Sequence, residues 1–395
     1  MRPLENIKIL DLTRVLAGPF CTMILSDLGA EVIKIEMPGT GDDARSFGPF
    51  KNGQSLYFLS INREKKSVSL NLKSAKGKSI FKKLIKKVDV IVENYRPGTM
   101  EKLGLGYDVL KEINPALIYA ATSGYGHTGP KSTKASYDIL AQAMGGIMSI
   151  TGWPGSPPTR VGMSLGDITA SLYAAIGILA ALYQRKATGL GQKVDVAMLD
   201  CQVSLLENAI TRYQVEGKLP EPLGNRHAGI TPFQAFRASD GYFVIAAGND
   251  SLWKKLCQAI GREDLIAHEK FATNPLRTQN IEIIEAELQS TLGQKTVDEW
   301  VAIIDDAGVP TGPINTIDRV MCDDQIIARN MIVDVEDKRA GTIKIAGNPI
   351  KMDSVPEIPT RSAAPEIGEH NQEILKSLLD LSDTEIAQLL NLGVI

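Results

Sequence analysis

The segment Ile7-Lys-Ile-Leu-Asp-Leu12 runs through Thr13-Arg-Val-Leu-Ala-Gly-Pro19 into a helical pattern and returns at Glu31-Val-Ile-Lys-Ile35 as a second β-branched run. Short apolar strands separated by single helices are the pattern of βαβ units, which pair strands in parallel. The rhythm continues with Ser67-Val-Ser-Leu-Asn-Leu72, a helix over about Lys76 to Lys86, Val88-Asp-Val-Ile-Val92 and Leu117-Ile-Tyr-Ala-Ala121. The predicted fold class is α/β, with a doubly wound, mostly parallel sheet. Helical patterns at about Asp138 to Met148, Ile168 to Lys186 and Ala197 to Gln214 are expected to cover that sheet, the last after the strand-like Gln192-Lys-Val-Asp-Val196.

A chain of 395 residues exceeds the usual single core, so two domains are expected. Residues 216–229 are rich in Gly and Pro and break the periodicity, which reads as a linker. The expected division is 1–215 for the first part of a large domain and 230–312 for a small α+β domain, with 313–395 as a return linker and the rest of the large domain. The small domain opens on a hairpin, Phe233 to Arg237 and Tyr242 to Ala246, around Ser239-Asp-Gly241. Near the C-terminus, Ser382-Asp-Thr-Glu385 is a capping-box pattern that starts a helix.

Composition narrows the function classes. A formal charge of −3 gives no electrostatic reason to bind nucleic acid. Cys21, Cys201, Cys257 and Cys322 lie far apart and no signal-peptide pattern opens the sequence, so a cytoplasmic protein is expected. The apolar run Ile168 to Tyr183 is short for a bilayer span and reads as a buried core helix, so no membrane is expected. The four histidines show no ligand spacing, and no metal site is expected. Basic residues gather at Arg63, Lys65 and Lys66, and again from Lys73 to Lys87. They read as a solvated helix face, or as an attraction for a phosphorylated ligand.

Few motifs carry chemistry by themselves. Gly124-Tyr-Gly-His-Thr-Gly129 has the GxGxxG spacing, but Pro130-Lys-Ser-Thr-Lys134 follows as a loop where a dinucleotide fingerprint would open a helix. In Thr13–Pro19, Gly18 permits close backbone approach and Pro19 suits a helix start, whose first amides could receive an anion. Asp167, in Ser164-Leu-Gly-Asp-Ile-Thr169, reads locally as an N-cap, an environment that keeps a carboxylate ionised. Asp138, after Tyr137, reads as a second cap.

Taken in order, several segments resemble the family III CoA transferases over nearly the whole chain. They are Asp11-Leu-Thr-Arg-Val-Leu-Ala-Gly-Pro19, Leu28-Gly-Ala-Glu-Val-Ile-Lys-Ile-Glu36, Gly41-Asp-Asp-Ala-Arg45, Val92-Glu-Asn-Tyr-Arg-Pro-Gly98, Ser123-Gly-Tyr-Gly126, Gly166-Asp167 and Thr188-Gly-Leu-Gly-Gln192. Val244-Ile-Ala-Ala-Gly-Asn249 and Gly308-Val-Pro-Thr-Gly-Pro-Ile-Asn315 look like the succinyl-CoA:glutarate and related dicarboxylate enzymes. The resemblance implies a Rossmann-like large domain from both chain ends, a small domain between them and two interlocked subunits in a homodimer. It implies CoA thioesters and small carboxylates as substrates, with no permanently bound cofactor. The implied reaction is reversible CoA transfer from an acyl-CoA, succinyl-CoA foremost, to a small dicarboxylate, with Asp167 as the covalent nucleophile.

For the coenzyme, the resemblance carries over Val15, Leu16, Ala17, Met37, Leu70, Lys73, Asn94, Lys102, Tyr137 and Asp138. Lys102 stands where an arginine is often found, keeping charge without the bidentate fork, and Met37 replaces an arginine of formyl-CoA transferases. Leu16 takes the place of an active-site glutamine of those enzymes, which argues against formate and oxalate as substrates. Arg45, Arg160, Arg226 and His227 are candidates for an acceptor's second carboxylate, and each also reads as a structural or surface group. Two alternatives stand beside transfer. One is 2-methylacyl-CoA racemization, which needs a His where Tyr137 stands; the other is CoA binding without turnover.

Overall fold

Alternate residues of a strand face opposite sides of its sheet, and here both sides are apolar. The computed structural model describes residues 2–395. Its main sheet has six strands, β1 (Lys8–Asp11), β2 (Glu31–Glu36), β3 (Lys66–Ser69), β4 (Val90–Glu93), β5 (Ile118–Ser123) and β6 (Lys193–Ala197). They are all parallel, in the order β3-β2-β1-β4-β5-β6. On one face Ile9, Val32, Val90, Val92, Ile118 and Ala120 join one core; on the other Leu10, Ile33, Ile91 and Tyr119 join a second. Burial on both faces is why β1, β2, β4 and β5 carry successive apolar residues; β6, at the sheet edge, is only partly buried and alternates Val194 and Val196 with Asp195.

Helix α1 (Ala17–Asp27) crosses from β1 to β2, and α2 (Ala75–Ile85) crosses from β3 to β4. Two further helices position the site: α3 (Asp138–Met144) and the 24-residue α4 (Leu165–Thr188). Helix α4 packs beside α1 on the first face through Ala174, Ala175, Ile178 and Ala181. Its mid-helix glycine is placed for contact, because a Cβ at Gly177 would come within 2.6 Å of Val194 on β6. Helix α4 is long and apolar enough to cross a membrane, yet half of its apolar stretch is buried on the sheet. Ile374, Leu375, Val394 and Ile395 pack on the opposite face, so the C-terminal segment completes the second core.

Contacts divide the chain into two compact units. The larger holds the N-terminal part up to Met148, Arg160–Glu216 and Asp324–Ile395; the smaller holds Ser149–Thr159 and Gly217–Asp323. The smaller unit has an antiparallel sheet of Phe233–Arg237, Tyr242–Ala246 and Thr311–Pro313, over a core that includes Phe243, Trp253, Phe271 and Trp300. Its limits differ from 230–312. Residues 217–229 belong to it: the Gly224 N–H donates to Gly152 O (2.8 Å), and the bare glycine lies against the Trp153 ring.

Three further sequence expectations need correction. The helix expected over Asp138 to Met148 stops at Met144, because Gly145–Gly146 follows and Gly146 takes a left-handed φ of 88°. The helix expected over Ala197 to Gln214 is broken into Met198–Ser204 and Ala209–Glu216. Arg63 and Lys65 are not solvated: Arg63 pairs with Asp27 at 2.6 Å and Lys65 with Asp11 at 2.9 Å, all of them buried. Helix α2 does present exposed lysines, Lys76 and Lys83 among them, opposite buried Ile80, Phe81, Leu84 and Ile85.

Candidate active site

The loop after β1 is built around buried charge. The Asp11 carboxylate pairs with Lys65 and accepts from the hydroxyls of Thr13 and Thr22. Lys34 pairs with Asp42 at 2.8 Å and donates to Thr13 O at 2.7 Å. Burial would raise Asp11, but Lys65, Lys34 and the two hydroxyls outweigh it and hold the carboxyl well below the usual range. Gly18 must be glycine, since a Cβ there would overlap the Thr13 side chain.

Between these anchors the chain is forced into an unusual turn. Asn94 brackets Arg14, accepting from its N–H (2.9 Å) and donating to its C=O (2.7 Å). The Val15 N–H donates to Asp42 Oδ1 (3.0 Å). Val15 is thereby held at φ 65°, a left-handed conformation that costs a β-branched residue about 1–3 kcal/mol. The turn delivers Leu16 as the N-cap of α1, without a side-chain bond, and Ala17 as its first residue. The first-turn amides of a helix have no intrahelical acceptor, and they carry the positive end of its dipole.

A cavity of about 480 Å³ opens over the carboxyl ends of β1 to β4. Its lining includes Arg14, Met37, Leu70, Lys73, Tyr95 and Leu103. The sheet order reverses between β1 and β4, and doubly wound sheets bind ligands at such a point. Of the residues carried over for the coenzyme, Met37, Leu70 and Lys73 therefore line one cavity, while Asn94 holds the Arg14 backbone beside it. Lys102 is exposed next to the lining residue Leu103.

Asp167 lies in the first turn of α4. The N-cap is Ser164, so the expectation of Asp167 as the cap is corrected: it is the third helical residue. One turn on, Ser171 donates to both Asp167 O (2.9 Å) and Ala17 O, tying this turn to the start of α1. Asp138 starts α3, but its Oδ1 accepts the Gly166 N–H (2.7 Å), so it caps α4 from a neighbouring helix. Gly166 is bare for that reason, as a Cβ would lie 3.1 Å from that oxygen. Burial, and then the nearby Asp138 charge, push the Asp167 carboxyl up to about 7. The expected cap environment, which would have kept it ionised, is thus overturned in sign.

The remaining candidates separate. Arg45 is committed to Glu36 through two bonds (2.8 and 2.7 Å) and to Pro365 O, with its guanidinium over the Phe58 ring, so it is a structural residue. Arg160 is exposed, 3.6 Å from Asp138 Oδ2. Tyr137 is exposed as the N-cap of α3. Arg226 and His227 belong to the smaller unit, where the His227 ring lies against Phe233 and Nδ1 accepts the Gly229 N–H. Sequence reading missed Tyr57, whose hydroxyl is pushed up to about 12 by burial and then by Asp167, Asp42 and Asp138. It assigned no role to Lys34, Asp42 or Gln142 either; Lys34 stands as a lone charge in an apolar strand, Asp42 lies in the quoted Gly41-Asp-Asp-Ala-Arg45 segment, and Gln142 is a lone polar residue near apolar positions of α3.

A parallel α/β sheet with a cavity at its switch point, and an uncompensated carboxylate on the adjoining helix, defines a small-molecule-binding α/β protein with a candidate nucleophile. The family model for CoA-transferase family III matches residues 4–371, and the chain belongs to that family. It is 42% identical over 375 residues to the acetyl-CoA:oxalate CoA-transferase of Acetobacter aceti, covering 95% of each chain. It is 40% identical over 396 residues to the human succinyl-CoA:glutarate CoA-transferase, covering 100% of this chain and 90% of that one. A solved CAIB/BAIF family protein from Brucella suis superposes with a TM-score of 0.85 at 39% identity, covering 95% and 99%.

Proposed function

We propose that the protein transfers CoA reversibly from an acyl-CoA, succinyl-CoA foremost, to a small dicarboxylate through a covalent intermediate on Asp167. The observation that carries this reading is the placement of Asp167. In this family III CoA transferase its carboxylate is partly buried without a cationic partner among the described residues, and its main-chain carbonyl accepts from Ser171, which also donates to Ala17 O at the start of α1 beside the cavity. An Asp167 oxygen attacks the thioester carbonyl and the CoA thiolate leaves, giving a mixed anhydride. The thiolate then attacks the aspartyl carbonyl, releasing the donor carboxylate and leaving an aspartyl-CoA thioester. The acceptor carboxylate attacks that carbonyl and expels the thiolate, which takes the acyl group from the second anhydride and frees Asp167. Every bond broken is replaced, no proton or electron is gained overall, and the thioester energy is kept.

The residues have distinct tasks in this scheme. Lys73, and Arg14 where it is paired with Asp43 (3.1 Å), stand at a cavity whose acidic groups Glu36, Asp42 and Asp43 are held by cations and whose Met37, Leu70 and Tyr95 supply apolar wall, a combination suited to a coenzyme with an extended arm and a phosphorylated end. The first amides of α1, presented by the Val15 turn, stabilise the oxyanion of each addition. Arg160 holds the second carboxylate of the acceptor, a role suited to a guanidinium. The exposed Leu172, Tyr173, Ile176 and Tyr183 on the outer side of α4 support a homodimer, interlocked as the resemblance implies. Cys21, Cys201, Cys257 and Cys322 are all free thiols, which supports a reducing, cytoplasmic setting.

A matrix of acyl-CoA donors against oxalate, glutarate, malate, itaconate and mesaconate, read by mass spectrometry of the thioester products, tests the reading. New thioesters are expected from dicarboxylates with the wild type and not with Asp167→Ala. Undiminished exchange by that variant contradicts it.

A further inference from the structure

Gln142 is fully buried on α3, next in sequence to Ala141, which joins a small apolar cluster with Ala170, Met198 and Cys201. A buried amide costs stability unless its donors and acceptor are used, and a leucine would fill similar space without that cost. Its two donors and one lone pair of its oxygen are used. Nε2 donates to Asp138 Oδ2 (2.8 Å) and more weakly to Met163 O (3.4 Å), while Oε1 accepts the Val161 N–H (2.9 Å). Asp138, one turn before it on the same helix, accepts the Gly166 N–H. Two side chains of α3 thus bind three backbone groups between Val161 and Gly166, the segment that leads directly into Asp167. Ser164, the local N-cap, makes no side-chain bond, so this pair replaces it.

We propose that Gln142 is a positioning residue for the transfer reaction, fixing the Asp138 carboxylate and the 161–166 backbone so that Asp167 starts α4 in the attacking orientation. The proposal rests on the reading of Asp167 as nucleophile. Gln142 touches neither substrate nor the reacting atoms; it acts through Asp138 and the main chain. A displacement of about 1 Å at a reacting carboxylate is worth on the order of 10²-fold in rate. The loss is expected to fall on chemistry rather than on binding in the cavity over β1 to β4, whose lining includes no residue of this segment.

The test compares wild type, Gln142→Leu and Gln142→Glu for kcat, KM for succinyl-CoA, melting temperature and the rate at which the CoA-modified Asp167 peptide forms. Gln142→Leu is expected to lower kcat and adduct formation about 10- to 100-fold, with KM changed less than about threefold and a folded melting transition. Gln142→Glu can donate to Asp138 only while protonated, so its activity relative to wild type is expected to fall as pH rises. Unchanged adduct formation in the leucine variant overturns the proposal. So does a glutamate variant whose activity ratio is flat with pH, which decides the matter if the leucine variant does not fold. A wild-type enzyme that forms no Asp167 adduct instead overturns the nucleophile assignment, so the two failures are distinguishable.

Discussion

Asp11 and Asp167 are both carboxylates withdrawn from water at the cavity end of the same sheet, and their surroundings differ in one respect. Asp11 meets Lys65 and Lys34 and accepts from two hydroxyls, so its charge is compensated and its acidity increased. Among the described residues Asp167 meets no cation; burial and a second carboxylate, Asp138, raise it to about 7. A compensated buried charge builds structure, here the turn that forces Val15 into its strained conformation. An uncompensated one is a more basic carboxylate held at a cost to stability, which is the property the proposed role of Asp167 calls on.

The largest way to break this contrast is to remove the compensation. Lys65→Met leaves Asp11 buried beside Lys34 alone and is expected to cost about 3–5 kcal/mol of folding stability, measured by urea unfolding. The pH dependence separates the two residues in sign. The depressed Asp11 contributes stability that is present above the ordinary Asp range and lost as the pH falls below it. The raised Asp167 contributes stability that is complete below about pH 4 and lost as the pH rises through about 7.

A smaller change sharpens the contrast at Asp167 itself. Asp138→Asn removes the like charge but keeps an oxygen for the Gly166 N–H. The acid limb of kcat/KM, expected near pH 7 in the wild type from Asp167, should move to lower pH by roughly one unit. A limb that stays in place, followed across pH 5 to 9 with one acyl-CoA, shows that Asp138 does not set the acidity.

The sheet was legible because its causes are local. Successive apolar residues at Ile9 and Leu10, or Val32 and Ile33, mark strands buried on both faces, and Thr13 to Pro19 marks the turn that follows β1. The site was legible only as a set of residues. Helix-dipole stabilisation at Asp167 is worth about 0.3–1 kcal/mol, less than one pH unit, so burial and Asp138 outweigh it. Neither term can be read from Gly166-Asp167, because Asp138 reaches this turn across 28 positions of chain. Arg45 likewise appears available in sequence, yet Glu36 and Pro365 engage it from β2 and the C-terminal segment. Gln142 carried no motif at all; only its hydrogen bonds across the Val161 to Gly166 segment mark it.

The central claim is that Asp167 carries CoA during turnover. It is tested most directly by incubating the enzyme with succinyl-CoA, quenching in acid and measuring the mass of the peptide that contains Asp167. The expected result is a CoA thioester on Asp167 that disappears on addition of glutarate, with glutaryl-CoA formed in equal amount. A peptide that stays unmodified while CoA exchange proceeds at the normal rate contradicts the claim.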